Sequence, residues 1–232
     1  MRRYVSKVLR RIWRPVGMAI DSLFDLRYGI RTAGYVPTCR LGVPAEQTKD
    51  CIWYQPSPAK GVMRLISSLG VDLSRFLFVD LGAGRGRVLI LAARFPFRAV
   101  IGVEFSPVLC EEARENLRRA FPEDFRVGRI SIICEDARTF VAPEGDLCVF
   151  LFTPFKGEVL SSVLTRLRQH WQKGFRVIIL YCGKSRPVIE ALDSLRWPRR
   201  HVGMCLSWSD LRRYNLLVYD SAQAHPTGAT GV

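Results

Sequence analysis

The feature that most restricts the fold is the segment FVDLGAGRGR, which occupies residues 78–87. Its apolar first part ends at Asp80 and is typical of a buried strand, and three alternate glycines follow: Gly82, Gly84 and Gly86. Glycine lets the backbone turn sharply and approach a ligand closely, and the first turn of a helix offers unpaired N–H groups to an anion. The segment therefore predicts a strand, a ligand-binding turn and a helix in succession.

The chain from Phe76 onward alternates short apolar runs with stretches of helical periodicity, which indicates a parallel sheet with crossover helices. The predicted parallel strands are Phe76–Leu81, Ala99–Glu104, Ile130–Cys134, Leu147–Phe152 and Arg176–Cys182. A helix over Arg87–Arg94 follows the glycine turn, and a second begins with Ser106 as N-cap and Pro107 in its first turn. Two further helices are predicted around the apolar positions of residues 160–167 and 188–195.

The end of this region predicts an antiparallel pair of strands, His201–Ser207 and Tyr214–Tyr219, on either side of a polar turn at Ser209-Asp210. Five parallel strands closed by this pair give an α/β fold: a Rossmann-like, doubly wound, seven-stranded sheet that is mostly parallel with an antiparallel final strand, preceded by an N-terminal helical extension. We expect the globular domain to span residues 59–220, and residues 221–232, which are small and polar, to form a disordered tail.

Residues 1–58 form a basic N-terminal extension and a connector rich in proline and glycine. Apolar residues recur at helical spacing among arginines: Val5, Val8, Leu9, Ile12, Trp13 and Val16. One interpretation is a helix that packs on the domain and leaves its arginines in water. A second is a helix that lies on an anionic membrane surface, and a third is an organelle-targeting segment.

Composition restricts the partners and the compartment. The chain has 35 Lys+Arg against 21 Asp+Glu, a net charge of +14, which favours anionic partners. Its 7 cysteines are scattered without a C-x-x-C pair, and its 3 histidines lie far apart, so we expect a reducing compartment, no disulfide framework and no metal. No apolar run is long enough to span a bilayer. We therefore expect a cytoplasmic protein, with peripheral attachment to the inner face of a membrane as an alternative.

Two further acids follow the first at the ends of the next strands. Glu104 ends the second strand, where a carboxylate can accept hydrogen bonds from both hydroxyls of a ribose. Asp136 comes just after the third strand and is placed to accept a hydrogen bond from an adenine amino group, with the backbone of Ala137 beside it. Phe105 has two interpretations, stacking on the adenine or packing in the core.

The same glycine turn also needs to be compared with dinucleotide-binding sites. Their fingerprint, G-x-G-x-x-G, requires a third glycine where this chain has Arg87. The acid at Asp80 is poorly suited to a pyrophosphate but well suited to an α-ammonium group. The pattern therefore favours a nucleoside that carries an amino acid.

These residues, in this order, resemble the class I (seven-β-strand) S-adenosylmethionine-dependent methyltransferases, and the resemblance covers roughly residues 76–219. It implies S-adenosyl-L-methionine as cofactor and methyl transfer as the activity. It also implies that Asp80 and the loop of Gly82, Ala83, Gly84 and Gly86 hold the methionine part, Glu104 the ribose, and Asp136 with Ala137 the adenine.

The acceptor is expected beyond the fourth strand, at Thr153-Pro154-Phe155. Adenine-N6 methylases carry D/N/S-P-P-Y/F/W at this place, and the chain departs from that motif at its first residue and lacks the second proline. We assign these three residues as candidate acceptor-site positions, with a plain turn at the strand end as the alternative.

The segment from Tyr54 to Pro58, YQPSP, adds to this resemblance. With the later motifs it is similar to small bacterial methyltransferases without an assigned acceptor and, more distantly, to the ATP synthase c-subunit lysine methyltransferases. The resemblance implies that a segment before the domain folds over the cofactor, with Tyr54 closing the site, and that the acceptor is a protein side chain, in particular lysine. The alternatives are an RNA or DNA acceptor, a small-molecule acceptor, and a non-catalytic cofactor-binding protein.

Overall fold

The computed structural model describes residues 19, 22–43, 54–152, 157–207 and 212–223. Its centre is a seven-stranded sheet with the strand order β3-β2-β1-β4-β5-β7-β6. The strands are β1 Phe76–Leu81, β2 Ala99–Glu104, β3 Ile130–Cys134, β4 Asp146–Leu151, β5 Val177–Gly183, β6 Arg199–Ser207 and β7 Arg212–Asp220. Six strands run in one direction, and β7 lies antiparallel between β5 and β6. The predicted Rossmann-like sheet is confirmed.

Helices cover both faces of the sheet because successive strand residues point to opposite sides. The helices are α1 Ala59–Ser67, α2 Arg87–Ala92, α3 Pro107–Ala120, α4 Pro122–Arg126, α5 Gly157–Gln172 and α6 Arg186–Asp193. Phe78 of β1 packs in the core cluster beneath α1, α2 and α3. Its neighbours Leu77 and Val79 pack in the opposite cluster beneath α5 and α6.

The predicted ends of the parallel strands are accurate for β1, β2 and β3 and shifted by one residue for β4 and β5. Asp146 extends β4 at its start because it pairs with Phe76 of β1. Gly183 extends β5 because it pairs with Asn215 of β7. Pairing with a neighbouring strand, which the local sequence does not reveal, decides these ends.

The helix after the glycine turn is shorter than predicted, since it ends at Ala92 and the chain turns through the next two residues. The predicted start of α3 is confirmed: the Ser106 hydroxyl accepts a hydrogen bond from the Leu109 N–H at 3.2 Å, and Pro107 opens the first turn. The sequence analysis did not predict α1 or α4.

Several predictions fall on residues outside those described. These are the basic helix of residues 5–16, the acceptor-site positions Thr153, Pro154 and Phe155, the turn at Ser209-Asp210, and the tail from residue 224 onward. Among the described residues, no helix combines the length and the apolar character that crossing a membrane requires. Residues Ser221–Gln223, which the sequence analysis assigned to the tail, form a 3₁₀ turn whose Ser221 hydroxyl accepts a hydrogen bond from the Val177 N–H at 2.8 Å.

Candidate active site

The three acids singled out in the sequence meet at one edge of the sheet, where the parallel strands β1, β2 and β3 end. Asp80 pairs in register with Gly102, two residues before Glu104, and Glu104 pairs with Cys134, two residues before Asp136. Neighbouring strands lie about 4.8 Å apart. The carboxylates therefore follow one another along the edge in the order expected from the sequence.

The glycine loop is fastened to the end of β2. The N–H groups of Gly82 and Ala83 both donate to the carbonyl oxygen of Val103, at 2.9 and 3.0 Å. Gly82, Gly84 and Gly86 have φ angles of +83°, +54° and +80°, a region that side chains with a Cβ rarely adopt. The alternate glycines are thus required by the backbone of the loop, and Gly86 is the N-cap of α2.

Glu104 is built into this loop rather than pointing freely into solvent. One carboxylate oxygen accepts the N–H of Gly84 at 2.8 Å, and the other accepts the N–H of Ser106 at 3.0 Å. The side chain is buried. Burial raises the pKa of Glu104, and the backbone N–H donors oppose this only in part. Each oxygen keeps a second lone pair that can accept a hydroxyl.

Asp80 is 3% exposed, and no described residue donates a hydrogen bond to its carboxylate. Burial raises the pKa of Asp80 well above its usual range, and the nearby Glu104 carboxylate raises it further. A buried carboxylate destabilises the folded protein unless it is paired with a cation or with hydrogen-bond donors. The position therefore fits a ligand that brings a positive amine.

Asp136 already has a partner that the sequence analysis missed. Its two oxygens accept the backbone N–H of Arg138 at 2.8 Å and the guanidinium of the same residue at 2.6 and 2.9 Å. Partial burial raises the pKa of Asp136, but these bonds outweigh it and hold the pKa below the ordinary value. Asp136 is therefore kept ionised and fixed in direction. The N–H of Ala137 makes no hydrogen bond to any described residue.

A segment before the domain covers the glycine loop. We define residues 30–43 together with Tyr54 as the strap. Val36 and Tyr54 exchange two backbone hydrogen bonds, at 3.2 and 2.9 Å, and the Tyr54 hydroxyl donates to the carbonyl oxygen of Thr32 at 2.6 Å. The Tyr54 ring lies so close to Gly84 that a Cβ at that position would overlap it. Tyr54 thus covers the glycine loop, and its role in closing a cofactor site stays a prediction.

The neighbouring residue Gln55 connects the strap to β7. Its amide donates to the Tyr214 hydroxyl at 3.1 Å, and the Tyr214 ring meets Phe152 edge-on with 5.2 Å between ring centroids. Phe152 immediately precedes the candidate acceptor positions, which lie outside the described residues. The YQ pair therefore contacts both the glycine loop and Tyr214, a contact of Gln55 that no local sequence signal indicated.

Phe105 packs beneath the strap against a small apolar cluster of Val36, Leu41 and Leu109. The packing interpretation thus has a contact in the structure, and stacking on the adenine stays a prediction. The Ser106 hydroxyl donates to the Leu41 carbonyl at 2.5 Å, which holds this part of the strap on the end of β2.

Within the described residues, no group of three or more His, Cys, Asp or Glu side chains is arranged to hold a metal ion. A groove of about 710 Å³ runs between α5 and α6, and its lining includes Gly157 and Ser185. These residues follow β4 and β5 in the chain, so the groove opens next to the carboxyl ends of these two strands.

Residues 78–174 match a family described as a methyltransferase domain. No curated protein sequence matches the chain.

Three solved structures share the fold. Magnesium protoporphyrin IX methyltransferase from Synechocystis PCC 6803, with bound S-adenosylmethionine, has a TM-score of 0.52 and 17% identity over 93% of this chain and 96% of its own. An RNA methyltransferase from Salinibacter ruber, in complex with S-adenosyl-L-homocysteine, has a TM-score of 0.51 and 18% identity over 76% and 99%. The 23S rRNA methyltransferase ErmE has a TM-score of 0.51 and 13% identity over 72% and 69%. The matched residues 78–174 include the glycine loop and the three acids, and the order of the seven strands is that of a Rossmann-like, class I methyltransferase fold.

Proposed function

We propose that the edge formed by β1, β2 and β3 holds S-adenosyl-L-methionine in one orientation. Asp80 and the loop of Gly82, Ala83, Gly84 and Gly86 take the methionine part, and Glu104 takes the two ribose hydroxyls. Asp136 and the N–H of Ala137 take the adenine, and Tyr54 closes the site from the strap. The observation that carries this proposal is the buried Asp80 carboxylate, which has no hydrogen-bond donor among the described residues and whose pKa burial raises well above its usual range.

The chemistry of the reaction asks little acid–base work of the protein. When bound, S-adenosylmethionine supplies a methyl group on a sulfonium, which is activated for in-line displacement. The residues of the chain must bind and orient the reactants and exclude water. Asp80 neutralises an amine, Glu104 fixes the ribose through the direction of its two oxygens, and the Tyr54 ring covers the loop.

Exchange of Glu104 for glutamine tests the ribose assignment. In Glu104→Gln the amide NH₂ must face either the Gly84 N–H or the Ser106 N–H, both of which are donors. We expect the dissociation constant for S-adenosylhomocysteine to rise about tenfold or more, because a buried donor loses its acceptor. Calorimetry gives the value, and Glu135→Gln, on a partly exposed neighbour, serves as the control. Equal affinity for the Glu104→Gln variant and the wild type would rule out this role of Glu104.

For the methyl acceptor we propose a protein side chain, the amine of lysine. The proposal is supported by the resemblance of the YQPSP segment to the lysine methyltransferases. It is also supported by the contacts of Tyr54 with Gly84 and of Gln55 with Tyr214. The half-buried Phe152 ring lies beside the end of β4, against the buried Tyr214. An aromatic face attracts the ammonium form of lysine, which must lose a proton to solvent before its amine can attack the methyl group. We also propose that the basic helix of residues 5–16 docks on an anionic membrane or on the partner protein.

A second candidate is RNA. The net charge of +14 favours a polyanion, and phosphate contacts would make binding fall steeply as the salt concentration rises. Two of the solved structures similar to this chain are an RNA methyltransferase and a 23S rRNA methyltransferase. The fold they share with the chain does not by itself indicate the acceptor.

The acceptor is tested by incubating the full-length protein and a cell lysate with S-adenosylmethionine labelled in its methyl group. We expect label in the protein fraction, recovered as methyllysine after acid hydrolysis, and none with the Asp80→Asn variant. Label that ribonuclease releases would replace lysine with RNA, and label in the small-molecule fraction would replace it with a metabolite. Absence of transfer to every fraction would contradict the enzymatic activity itself.

A further inference from the structure

The strap is tied to the glycine loop by a buried group of three residues: Arg87, Asp25 and Thr32. Arg87 is the first residue of α2, directly after the loop, and is 2% exposed. Asp25 lies in a helical stretch at residues 22–28, and Thr32 lies in the strap; both are buried. A charged side chain in the interior requires a specific partner. The buried Arg87 therefore needs polar partners from outside α2, and Asp25 and Thr32 supply them.

Hydrogen bonds join the three residues to one another. The Arg87 guanidinium donates to the Thr32 hydroxyl at 2.7 Å and lies 3.3 Å from an Asp25 oxygen. The Thr32 hydroxyl donates in turn to Asp25 at 2.6 Å. The Asp25 carboxylate also accepts the backbone N–H groups of Thr32 and Ala33, at 2.6 and 2.7 Å. Asp25 thus fixes the backbone of the strap, and Arg87 fixes Asp25 to the start of α2.

Further hydrogen bonds between the domain and the strap involve the neighbours of Thr32. Arg85, inside the glycine loop, donates to the Ala33 carbonyl at 2.7 Å, and its guanidinium lies 5.3 Å from the centre of the Tyr54 ring. The Asn116 amide donates to the Arg85 carbonyl at 3.0 Å and to the Arg31 carbonyl at 3.2 Å. The loop and the strap therefore hold each other in position.

We propose that Arg87, Asp25 and Thr32 form a latch that keeps the strap docked on the glycine loop, with Tyr54 against Gly84, and that the latch thereby sets the affinity for the cofactor. The three are positioning residues, since they act through Tyr54 and the loop. This inference rests on the proposed function of the loop in holding S-adenosylmethionine. It also gives Arg87, which stands where a dinucleotide site has its third glycine, a structural role of its own.

The consequence for binding follows from the fraction of molecules in which the strap is docked. If the cofactor binds tightly only to the docked form, the apparent dissociation constant is the intrinsic constant divided by that fraction. Loss of the Thr32 hydroxyl removes the bridge that accepts from the Arg87 Nε–H and donates to the Asp25 carboxylate, and keeps only the direct contact of 3.3 Å between Arg87 and Asp25. We therefore expect weaker binding from a change that touches no part of the cofactor.

The test compares Thr32→Val, which removes the hydroxyl at nearly constant volume, with Thr32→Ser, which keeps it. We expect Thr32→Val to raise the dissociation constant for S-adenosylhomocysteine about tenfold, and Thr32→Ser to stay within about twofold of the wild type. Asp124→Asn is the matched control, because Asp124 also pairs with an arginine, Arg129, but at the amino end of β3. Thermal unfolding without ligand is measured for all variants.

Trypsin gives an independent measure of docking, since the strap contains Arg31 and Arg40. In the wild type, S-adenosylhomocysteine should slow cleavage after these residues, and in Thr32→Val that protection should be lost. If Thr32→Val lowered the melting temperature but left the affinity for S-adenosylhomocysteine and the protection from trypsin unchanged, the latch would be overturned. The three residues would then have a purely structural role. Failure of the wild type to bind S-adenosylhomocysteine would instead overturn the proposed function.

Discussion

The Asp80→Asn variant is expected to bind S-adenosylmethionine about a hundredfold more weakly than the wild type. Its carboxylate is buried and lacks a donor among the described residues, so the amine of the cofactor would be its main cationic partner. Hydrogen bonds to charged groups contribute about 1.5–3 kcal/mol each, and about 2.7 kcal/mol corresponds to a hundredfold change in affinity. Calorimetric titration of S-adenosylhomocysteine into both proteins measures the loss, with the exposed Asp72→Asn as control.

The same substitution is expected to stabilise the ligand-free protein at neutral pH. The pKa of Asp80 is raised in the folded state, so the folded protein retains a proton that the unfolded chain loses above about pH 4. The contribution of Asp80 to stability is therefore present at low pH and is lost as the pH rises towards its folded pKa. Thermal unfolding measured from about pH 4 upwards should show that Asp80→Asn loses less stability with rising pH than the wild type does. If Asp80→Asn were less stable than the wild type and bound the ligand equally tightly, both the proposed contact with the amine and the cost of the buried carboxylate would be contradicted.

Gly84→Ala should have the second large effect. Gly84 has a φ of +54°, and a Cβ there would overlap the Tyr54 ring. The left-handed conformation costs a residue with a Cβ about 1–2 kcal/mol, and overpacking adds about 1–3 kcal/mol. We expect the strap to leave the loop and the affinity for S-adenosylhomocysteine to fall at least about tenfold, again by calorimetry.

Gly70 is a matched control that separates the conformational cost of an alanine from its overlap with the Tyr54 ring. Gly70 has a φ of +63° with nothing within 4 Å of an added Cβ, so Gly70→Ala carries only the conformational cost. The double variant Gly84→Ala with Tyr54→Ala relieves the overlap and should recover part of the lost stability. If Gly84→Ala and Gly70→Ala reduced stability equally and neither changed binding, Tyr54 would not be in contact with the loop in solution.

The parallel strands were predictable because their signals are local. β1 is a mostly apolar run bounded by a 3₁₀ turn and the glycine loop, β2 ends at Glu104, and β3 is followed directly by Glu135 and Asp136. The acids were predictable as a set because parallel strands bring their carboxyl ends to one edge. The start of β4 at Asp146 and the end of β5 at Gly183 depend on hydrogen bonds to other strands, and the sequence analysis placed both one residue away.

The strap contacts were not predictable from local patterns. Arg87 and Asp25 are 62 positions apart, and Asn116 and Arg31 are 85 apart. One signal was present, since Arg87 opens a helix whose other residues are all apolar, and a charge in a wholly buried helix predicts a buried partner. The identity of that partner depends on how the extension folds back, which no spacing in the sequence specifies.

A crystal structure of the protein with S-adenosylhomocysteine is the most direct test of the proposed cofactor site. We expect the amine of the ligand within hydrogen-bond distance of Asp80 and the ribose hydroxyls on Glu104. We also expect the adenine amino group at Asp136 and the Tyr54 ring over the loop. Electron density for the ligand at any other place, or a ligand whose amine points away from Asp80, would contradict this site.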